Sequence, residues 1–404
     1  MSERFDSLFS GLSEADAITT LRTNPADLPN PGVKYLAASR LGAASSGESL
    51  AALMLMVSMN PDNLIDRITK RKSIEALGRR KSTESVSLLI DTLSCDDEPA
   101  VVNAVDAIAR IRPTLTTSDI EALLKVALGP DNQKRAVLQA FTRLDLLDTT
   151  GTLQQLVCSP NPMVASAAHA YSLKNSVSPS SFDFLSDLLR SSTPGHRRAA
   201  VIDIGATGDP RALPLLASCP VSMPLRAKSA FQIVSASTEL HQRDSTRLLQ
   251  AILEDDPRIH SKDLLPTVSS TESQISAALQ HRDEAIQYSG ALALMKLPEP
   301  EQISLISAIK SQLGSDYGVH YLLTLIVGRL HLHQLAPLVN ESLEEEGPQY
   351  AKSRVAAAWS CYALNLLDTL PTLQHLAVSS PWRPLAWSCQ TVVRDWTLRR
   401  SAPS

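Results

Sequence analysis

Basic side chains are concentrated in one short stretch near the front of the chain. Arg67 and Arg71 stand four positions apart, and Lys70 lies beside them. This spacing brings side chains to one face of a helix, and guanidinium groups bind carboxylates or phosphates through paired hydrogen bonds. The stretch therefore predicts a site for an acidic group of a ligand. The alternative is a solvated basic face, with Asp66 as the N-cap of its helix.

A second group of polar residues lies far along the chain and comprises Asp316, Tyr317, His320 and Tyr321. Tyr317 and Tyr321 are spaced for one helical face, and Asp316 stands at its start. Aspartate, tyrosine and histidine side chains can together remove and return protons. The group therefore predicts a proton-transfer site. The alternative is a helix cap followed by two packing aromatic residues.

Asn103 and Asp106 form a third group. They project from the same predicted face as Lys72 and Glu75, which lie one repeat earlier. Residues three positions apart are neighbours on a helix surface. We therefore count Asn103 and Asp106 among the candidate binding residues.

The chain contains no P-loop, G-x-G-x-x-G, H-E-x-x-H or G-x-S-x-G motif, so no motif supports a nucleotide or hydrolase site. Its five cysteines form no C-x-x-C pair: Cys95, Cys158, Cys219, Cys361 and Cys389. This pattern favours a reducing compartment and argues against zinc, and no metal is expected. Cys158, Cys361 and Cys389 lie in apolar surroundings, where thiols behave as small hydrophobic groups.

Composition limits the partners. The chain has 404 residues and a formal net charge of −4, so bulk attraction to nucleic acid is not expected. It has no run of about 18 apolar residues, so no transmembrane helix is predicted. The first residues lack a basic segment followed by an apolar run, so no signal peptide is expected.

Internal repetition predicts the elements that hold these side chains. Ala76-Leu77-Gly78 returns as Ala107-Ile108-Ala109, 31 residues later. A period of this length is typical of α-solenoids, in which each helical repeat packs only on its neighbours. We therefore expect an all-α protein, an α-solenoid (α/α superhelix) of HEAT-like or armadillo-like repeats.

A regular position of glycine marks the repeats. Four predicted helices open with a residue pair and reach a glycine seven positions after its second member: Lys34-Tyr35 with Gly42, Lys70-Arg71 with Gly78, Arg197-Arg198 with Gly205, and His320-Tyr321 with Gly328. When the second and fourth glycines are aligned, Asp316 falls on Asp66, so two candidate sites use one repeat position. The expected organisation is an N-terminal helical cap over 1–29, one continuous solenoid over 30–398 and a tail over 399–404. Residues 240–271 are expected to be the least regular part.

Three segments resemble the E/F-type bilin lyases, the short-HEAT-repeat proteins of phycobilisome assembly. They are V-K-Y-L-A-A-S-R-L-G (Val33 to Gly42), D-R-I-T-K-R-K-S-I-E-A-L-G-R (Asp66 to Arg79) and V-N-A-V-D-A-I-A-R-I (Val102 to Ile111). The opening P-G-V-K-Y-L-A-A-S is most similar to the phycoerythrobilin branch, which includes phycoerythrin lyases and lyase-isomerases. The chain departs from the family at Val102, where an acidic residue is usual, and at Asp106, where an aromatic one is common.

The resemblance implies a lyase that joins phycoerythrobilin, a linear tetrapyrrole, by a thioether to a cysteine of a phycoerythrin subunit, with the α subunit as the first expectation. Some members also isomerise the pigment to phycourobilin. The pigment is the substrate, and no cofactor is implied. A second lyase-family chain is an expected partner, nucleic acid and a membrane are not, and the implied location is the cyanobacterial cytoplasm near phycobilisomes.

The resemblance also implies roles for the candidate residues. Arg67, Lys70 and Arg71 would bind the two propionates of the bilin, and Asp66 would accept from its pyrrole N–H groups. The expected binding set is completed by Asn103, Asp106 and Tyr321. Asp316, Tyr317 and His320 are the expected catalytic residues. The alternative function is a non-catalytic HEAT-repeat adaptor or a bilin-carrying chaperone of phycobilisome assembly.

Overall fold

The computed structural model describes residues 11–176, 179–236 and 242–401, and every regular element in these ranges is helical. The expected all-α solenoid is confirmed. The chain divides into two compact units, Met1–Phe182 and Asp183–Ser404. The expectation of one continuous solenoid over 30–398 stays a prediction.

The first unit consists of helices that pack in two layers. In chain order they are α1 (Glu14–Arg22), α2 (Val33–Leu41), α3 (Gly47–Ser58), α4 (Leu64–Arg80), α5 (Val86–Thr92), α6 (Glu98–Ile111), α7 (Thr117–Val126), α8 (Asp131–Leu144), α9 (Pro162–Ser176) and α10 (Pro179–Leu189), which crosses the boundary between the units. Helices α2, α4, α6, α8 and α9 follow one another in one layer, and α3, α5 and α7 pack beside them. All the candidate binding residues except Tyr321, which belongs to the second unit, therefore lie on two consecutive helices of one layer, α4 and α6.

The second unit is built in the same way. Its helices are α11 (Pro194–Thr207), α12 (Ala212–Ser218), α13 (Met223–Ala236), α14 (Gln242–Glu254), α15 (Glu272–Leu279), α16 (Glu284–Met295), α17 (Glu299–Leu313), α18 (Tyr317–Arg329), α19 (Ala336–Glu344), α20 (Ala351–Ala363), α21 (Leu370–Ser379) and α22 (Arg383–Ser401). Helices α18, α20 and α22 follow one another in one layer, and α19 and α21 pack against them.

The glycines of the repeat allow neighbouring helix backbones to approach closely. A Cβ atom added at Gly78 would lie 2.8 Å from the Cα atom of Ala107, and one added at Gly205 would lie 2.8 Å from that of Ser229. A Cβ atom added at Gly328 would lie 2.7 Å from the Cα atom of Ser360. The glycine position found in the sequence is therefore the contact point of α4 with α6, α11 with α13, and α18 with α20.

Helix caps correct one expectation. The N-cap of α4 is Asn63, whose side-chain oxygen accepts a hydrogen bond from the Asp66 backbone N–H at 2.9 Å. Asp66 lies in the first turn of the helix, so its interpretation as the N-cap was wrong. Asp316 does cap α18, accepting from the N–H groups of Gly318 at 2.8 Å and Val319 at 2.9 Å.

The stretch that we expected to be least regular is only partly so. Its first part forms α14, a helix of 13 residues, whereas residues 255–271 contain only two short 3-10 helices, Pro257–Ile259 and Lys262–Leu264. Residues 240 and 241 lie outside the described residues. The irregular segment packs on α16, which makes it one wall of a cavity treated below.

Candidate functional site

Two of the predicted basic residues line a cavity in the first unit. Arg67 is exposed and Lys70 is half-buried on α4, and both line a cavity of about 430 Å³ between α4 and the start of α6. The Lys70 ammonium group donates a hydrogen bond to the carbonyl oxygen of Met59 at 3.0 Å. Three acidic residues line the opposite side, namely Asp96, Asp97 and Glu98. The cavity is large enough for part of a small organic ligand.

Arg71 turns towards one of these acids. Its Nε and Nη2 atoms donate to the two carboxylate oxygens of Asp97 at 2.9 and 2.7 Å. The hydrogen bonds to Asp97 raise the pKa of Arg71. The guanidinium group therefore joins α4 to the residue that precedes α6, and a ligand would meet it already paired.

Asp66 is buried and paired. Its carboxylate accepts from the Lys34 ammonium group at 2.7 Å and from the side-chain amide of Asn63 at 2.8 Å. Because both Lys34 and Asp66 are almost fully buried, this ion pair ties α2 to α4. Whether Asp66 also accepts from a bilin stays a prediction.

Asn103 lies beside a second cavity. The cavity has a volume of about 400 Å³ and shares Glu98 and Pro99 with the first one. The Asn103 amide donates to the Arg71 carbonyl oxygen at 3.3 Å and to Glu75 at 3.2 Å. Arg67, Lys70 and Asn103 therefore line neighbouring parts of one surface of the first unit.

Asp106 is held between two arginines of its own layer. Arg110 donates to its carboxylate at 2.6 Å and Arg143 at 2.8 Å. Burial alone would raise the pKa of Asp106, but the two positive charges and their hydrogen bonds lower it. Its observed contacts are those of a structural ion pair between α6 and α8.

In the second unit, Tyr317 and His320 meet at a third aromatic residue, Tyr350. Tyr317 is 54% exposed, and its ring stands edge-on to that of Tyr350 with centroids 5.8 Å apart. The His320 ring lies 4.9 Å from the same ring. Tyr350 was not among the residues predicted from the sequence, because the contact joins residues 30 or more positions apart in the chain.

His320 is buried beside Tyr350. The side chain is largely buried, and its Nδ1 atom has no hydrogen-bond partner among the described residues. Burial lowers the pKa of His320, which favours the neutral imidazole, a form that can both donate and accept a proton. Asp316 is nearby in sequence, but its carboxylate is used by the helix cap.

Tyr321 belongs to a different environment, although it lies one turn from Tyr317. It is 4% exposed, and its hydroxyl group donates to the buried carboxylate of Asp255. Tyr288 donates to the same carboxylate at 2.8 Å, and Arg226 forms an ion pair with it. Burial is the largest cause that raises the pKa of both tyrosines well above 10.

This buried group was missed in the sequence, because its members come from four separate segments. Burial would raise the pKa of Asp255, but the charge of Arg226 and the Tyr321 hydroxyl help to lower it to about 2. The only sequence signal was Asp255-Asp256-Pro257, which marks the end of α14. Whether Tyr321 binds a bilin stays a prediction.

The described parts of the chain contain neither a metal-binding cluster nor a membrane-spanning helix. No group of three or more histidine, cysteine, aspartate or glutamate residues in 11–176, 179–236 and 242–401 could hold a metal ion. Within the same ranges, no helix combines the length and the apolar character that a membrane crossing needs. The buried cysteines Cys219, Cys361 and Cys389 behave as small hydrophobic groups, whereas Cys158 is exposed, so the expectation of apolar surroundings was wrong for Cys158.

The chain is similar to known proteins over one repeat and over nearly its whole length. The PBS lyase HEAT-like repeat matches residues 197–219. The chain is 26% identical over 393 residues to the uncharacterized phycocyanin operon protein Y of Pseudanabaena tenuis (strain PCC 7409), which covers 95% of this chain and 91% of that protein.

A solved structure supports the fold. The chain is similar to the complex of CpcE and CpcF of phycocyanin lyase from Nostoc sp. PCC7120, with a TM-score of 0.52 and 20% identity. The match covers 60% of this chain and 95% of the other one. At this identity the likeness shows a shared helical-repeat fold. The phycoerythrin branch that the sequence suggested stays a prediction.

Proposed function

We propose that this protein is an E/F-type bilin lyase that attaches a linear tetrapyrrole to a cysteine of a phycobiliprotein. The observation that carries the proposal is the cavity at Arg67 and Lys70, on a fold similar to that of a phycocyanin lyase complex. The match to a phycocyanin operon protein over 95% of the chain supports the same process.

The cavity would hold the acidic side of the pigment. A bilin carries two propionates, and Arg67 and Lys70 offer them an exposed guanidinium group and an ammonium group. Arg71 would assist through its bond to Asp97, which fixes the wall of the cavity. The Asn103 amide, on the adjoining surface, would face the polar edge of the tetrapyrrole.

The nucleophile in this proposal belongs to the acceptor protein. Burial raises the pKa of the Cys219 thiol to about 12, that of Cys361 to about 11 and that of Cys389 to about 12. Thiols with such values carry almost no thiolate at neutral pH, and the thiolate is the reactive form. These three cysteines are therefore unsuited to attack the pigment.

Tyr317 and His320 would move the protons, and the Asp316 carboxylate would hold the first turn of α18, on which both residues lie. In the addition, the acceptor's sulfur forms a bond to one carbon of a C=C bond of the bilin, the thiol loses its proton and the second carbon gains one. The neutral His320 ring would take the proton, and the exposed Tyr317 hydroxyl would supply one to the pigment. An isomerisation to phycourobilin would use the same pair to remove one proton and return another elsewhere.

The finer assignment is that the pigment is phycoerythrobilin, the acceptor is a phycoerythrin subunit (α first) and the location is the cyanobacterial cytoplasm near phycobilisomes. The similar solved structure is a complex of two different chains, so a second lyase-family chain is part of the proposal. Half of the co-expression experiments that test this function would include this second chain, and half would omit it.

Co-expression with phycoerythrobilin and the α and β phycoerythrin subunits tests this function. We expect pigment that stays on the subunit in acidic urea, with the mass of the tagged peptide increased by one bilin. A shift in absorbance would separate phycourobilin from phycoerythrobilin. Pigment that is released by acidic urea would indicate a carrier, and no pigment binding would indicate an adaptor; either outcome contradicts a lyase.

Arg67→Glu tests the cavity. We expect it to weaken retention of the bilin by about tenfold or more, because an attraction to propionate becomes a repulsion. Lys125→Glu, which changes an exposed residue of α7 by the same charge, is the control and should bind as the unmodified protein does. Equal binding by both variants would remove Arg67 from the site.

Tyr317→Phe and Asp316→Asn test the proton-transfer residues. We expect the first variant to bind pigment normally and to attach it at least tenfold more slowly, the usual scale of a lost acid–base group. Tyr362→Phe is the control, because Tyr362 stacks on Trp396 away from the start of α18. Unchanged attachment by both test variants would refute the roles of Tyr317 and Asp316.

A further inference from the structure

The second unit contains a cavity that none of the roles above uses. It lies between α16 and the irregular segment 255–271, and its volume is about 560 Å³. One wall is a single face of α16, formed by Ser289, Leu292, Ala293 and Lys296. Small-molecule sites have volumes of this order, and long irregular segments in compact domains commonly serve a function.

All the charged side chains that line this cavity are cationic. Arg258, Lys262 and Lys296 line it, and no carboxylate does. Arg258 is paired with Asp256, with hydrogen bonds of 2.6 to 3.1 Å. Lys262 and Lys296 are exposed, and neither is in an ion pair with any residue that the structure describes. Local positive charge in a chain of net charge −4 points to an anionic ligand.

The remaining lining is mostly apolar. The irregular segment contributes Leu265, Pro266 and Val268, and α16 contributes Leu292 and Ala293. An inorganic anion would leave these surfaces in contact with water. An organic anion with an apolar body would bury them and place its charge at the lysines.

A buried histidine stands at the base of the cavity. The His260 side chain lines it but is only 2% exposed. Its Nε2 atom lies 3.4 Å from Asp255, and its ring lies 3.9 Å from that of Tyr288. His260 therefore joins the base of the cavity to the buried Asp255 carboxylate.

We propose that this cavity binds an amphipathic carboxylate, with its acid group at Lys262 and Lys296 and its apolar body against Leu292 and Val268. A propionate-bearing tetrapyrrole and a fatty acid share this chemistry. The proposal does not depend on lyase activity, because it concerns binding alone.

The test is a binding titration of the full chain with biliverdin, a tetrapyrrole dicarboxylate, followed by visible absorbance. Every variant is made in an Arg67→Glu background, so that the first cavity does not contribute to the binding measured. The test variant is Lys262→Glu/Lys296→Glu. The control variant, Lys125→Glu/Arg190→Glu, makes the same change in net charge at exposed residues that do not line the cavity. We expect the test variant to bind about tenfold more weakly or worse and the control to bind normally. Equal affinity of both variants would overturn the proposal.

Two further arms examine the chemistry. Biliverdin dimethyl ester has the same body without the charges, and equal affinity for the ester and the diacid would also overturn the proposal. Leu292→Trp fills the cavity without a change of charge, so it should abolish binding while thermal unfolding shows an intact fold; retained binding would contradict the site. Displacement of biliverdin by decanoate would assign the site to fatty carboxylates, and failure to displace it would assign the site to tetrapyrroles.

Discussion

The Asp255 carboxylate holds the second unit together at one point. It is fully buried and is shared by Arg226, Tyr288 and Tyr321. Arg226 also donates to three backbone carbonyl oxygens, with the shortest distance, 2.6 Å, to Val221. The network therefore fixes α13, α16 and α18 to the end of α14.

Asp255→Asn should destabilise the protein by about 3–5 kcal/mol, because removal of one partner leaves the buried Arg226 charge uncompensated. Urea unfolding followed by circular dichroism measures the change. Tyr321→Phe removes one hydrogen bond and no charge, so it should cost only about 1–2 kcal/mol. Equal costs for the two variants would show that the ion pair is not the main contribution.

Acid should weaken this network. The pKa of Asp255 is about 2 in the folded protein and 3.8 in an unperturbed chain. A carboxyl group with a lowered pKa stabilises the fold above its unfolded value, and the contribution is lost as the pH falls from about 4 to about 2. The lost part is about 2 kcal/mol. About half of it is lost between pH 5 and pH 3, and we expect Asp255→Asn to lack this half when the unfolding free energy is compared at those two pH values.

The residue-level expectations that succeeded were local ones. The cap formed by Asp316, which was the alternative interpretation of its group, follows from its place before a helix. The pairing of Lys34 with Asp66 and of Arg71 with Asp97 could not be predicted, because each joins residues 26 or more positions apart. Residue types alone show a charge, whereas the partner depends on the packing of the helices.

At the scale of the element, the glycine positions are the most informative part of the sequence. They recur along the sequence. At Gly78, Gly205 and Gly328, an added Cβ atom would lie less than 3 Å from a Cα atom of the neighbouring helix. The irregular segment 255–271 lies in the stretch that we expected to be least regular, whereas helix α14, in the first part of that stretch, was not predicted.

Gly205→Ala should destabilise α11 against α13 by about 1–3 kcal/mol, since the added methyl group would overlap Ser229. Gly195→Ala, in the same helix, is the matched control. Nothing lies within 4 Å of a Cβ atom added there, so it should be neutral or should stabilise by up to about 1 kcal/mol. Thermal unfolding compares the two, and similar melting temperatures would contradict close packing at Gly205.

At the scale of the whole molecule, the buried cysteines report the integrity of the second unit. Iodoacetamide should modify the exposed Cys158 in the native protein within minutes to hours, whereas Cys219, Cys361 and Cys389 should react only after unfolding. The raised pKa of each buried thiol leaves little reactive thiolate, and burial keeps the reagent from the sulfur atom, so both slow the reaction. Mass spectrometry of peptides measures the order. Rapid native labelling of Cys361 would show that the second unit opens more easily than its burial implies.

The overall fold was the most predictable level, because a period near 31 residues already implies stacked helices. The division into two compact units was not foreseen, since each repeat looks alike in sequence and only the density of contacts separates them. The candidate sites fall between these cases. Their polar side chains were recognised, but the cavities depend on side chains from helices that are distant in the sequence.

The anchoring of segment 255–271 has a consequence for the rate at which a ligand can enter the neighbouring cavity. The segment is fixed at Asp255 and again where the Ser261 N–H donates to the Ser218 carbonyl oxygen at 3.0 Å. A pre-organised wall spares the ligand the entropic cost of ordering a loop. Association should therefore be fast, and added salt should slow it by screening the lysines at the entrance.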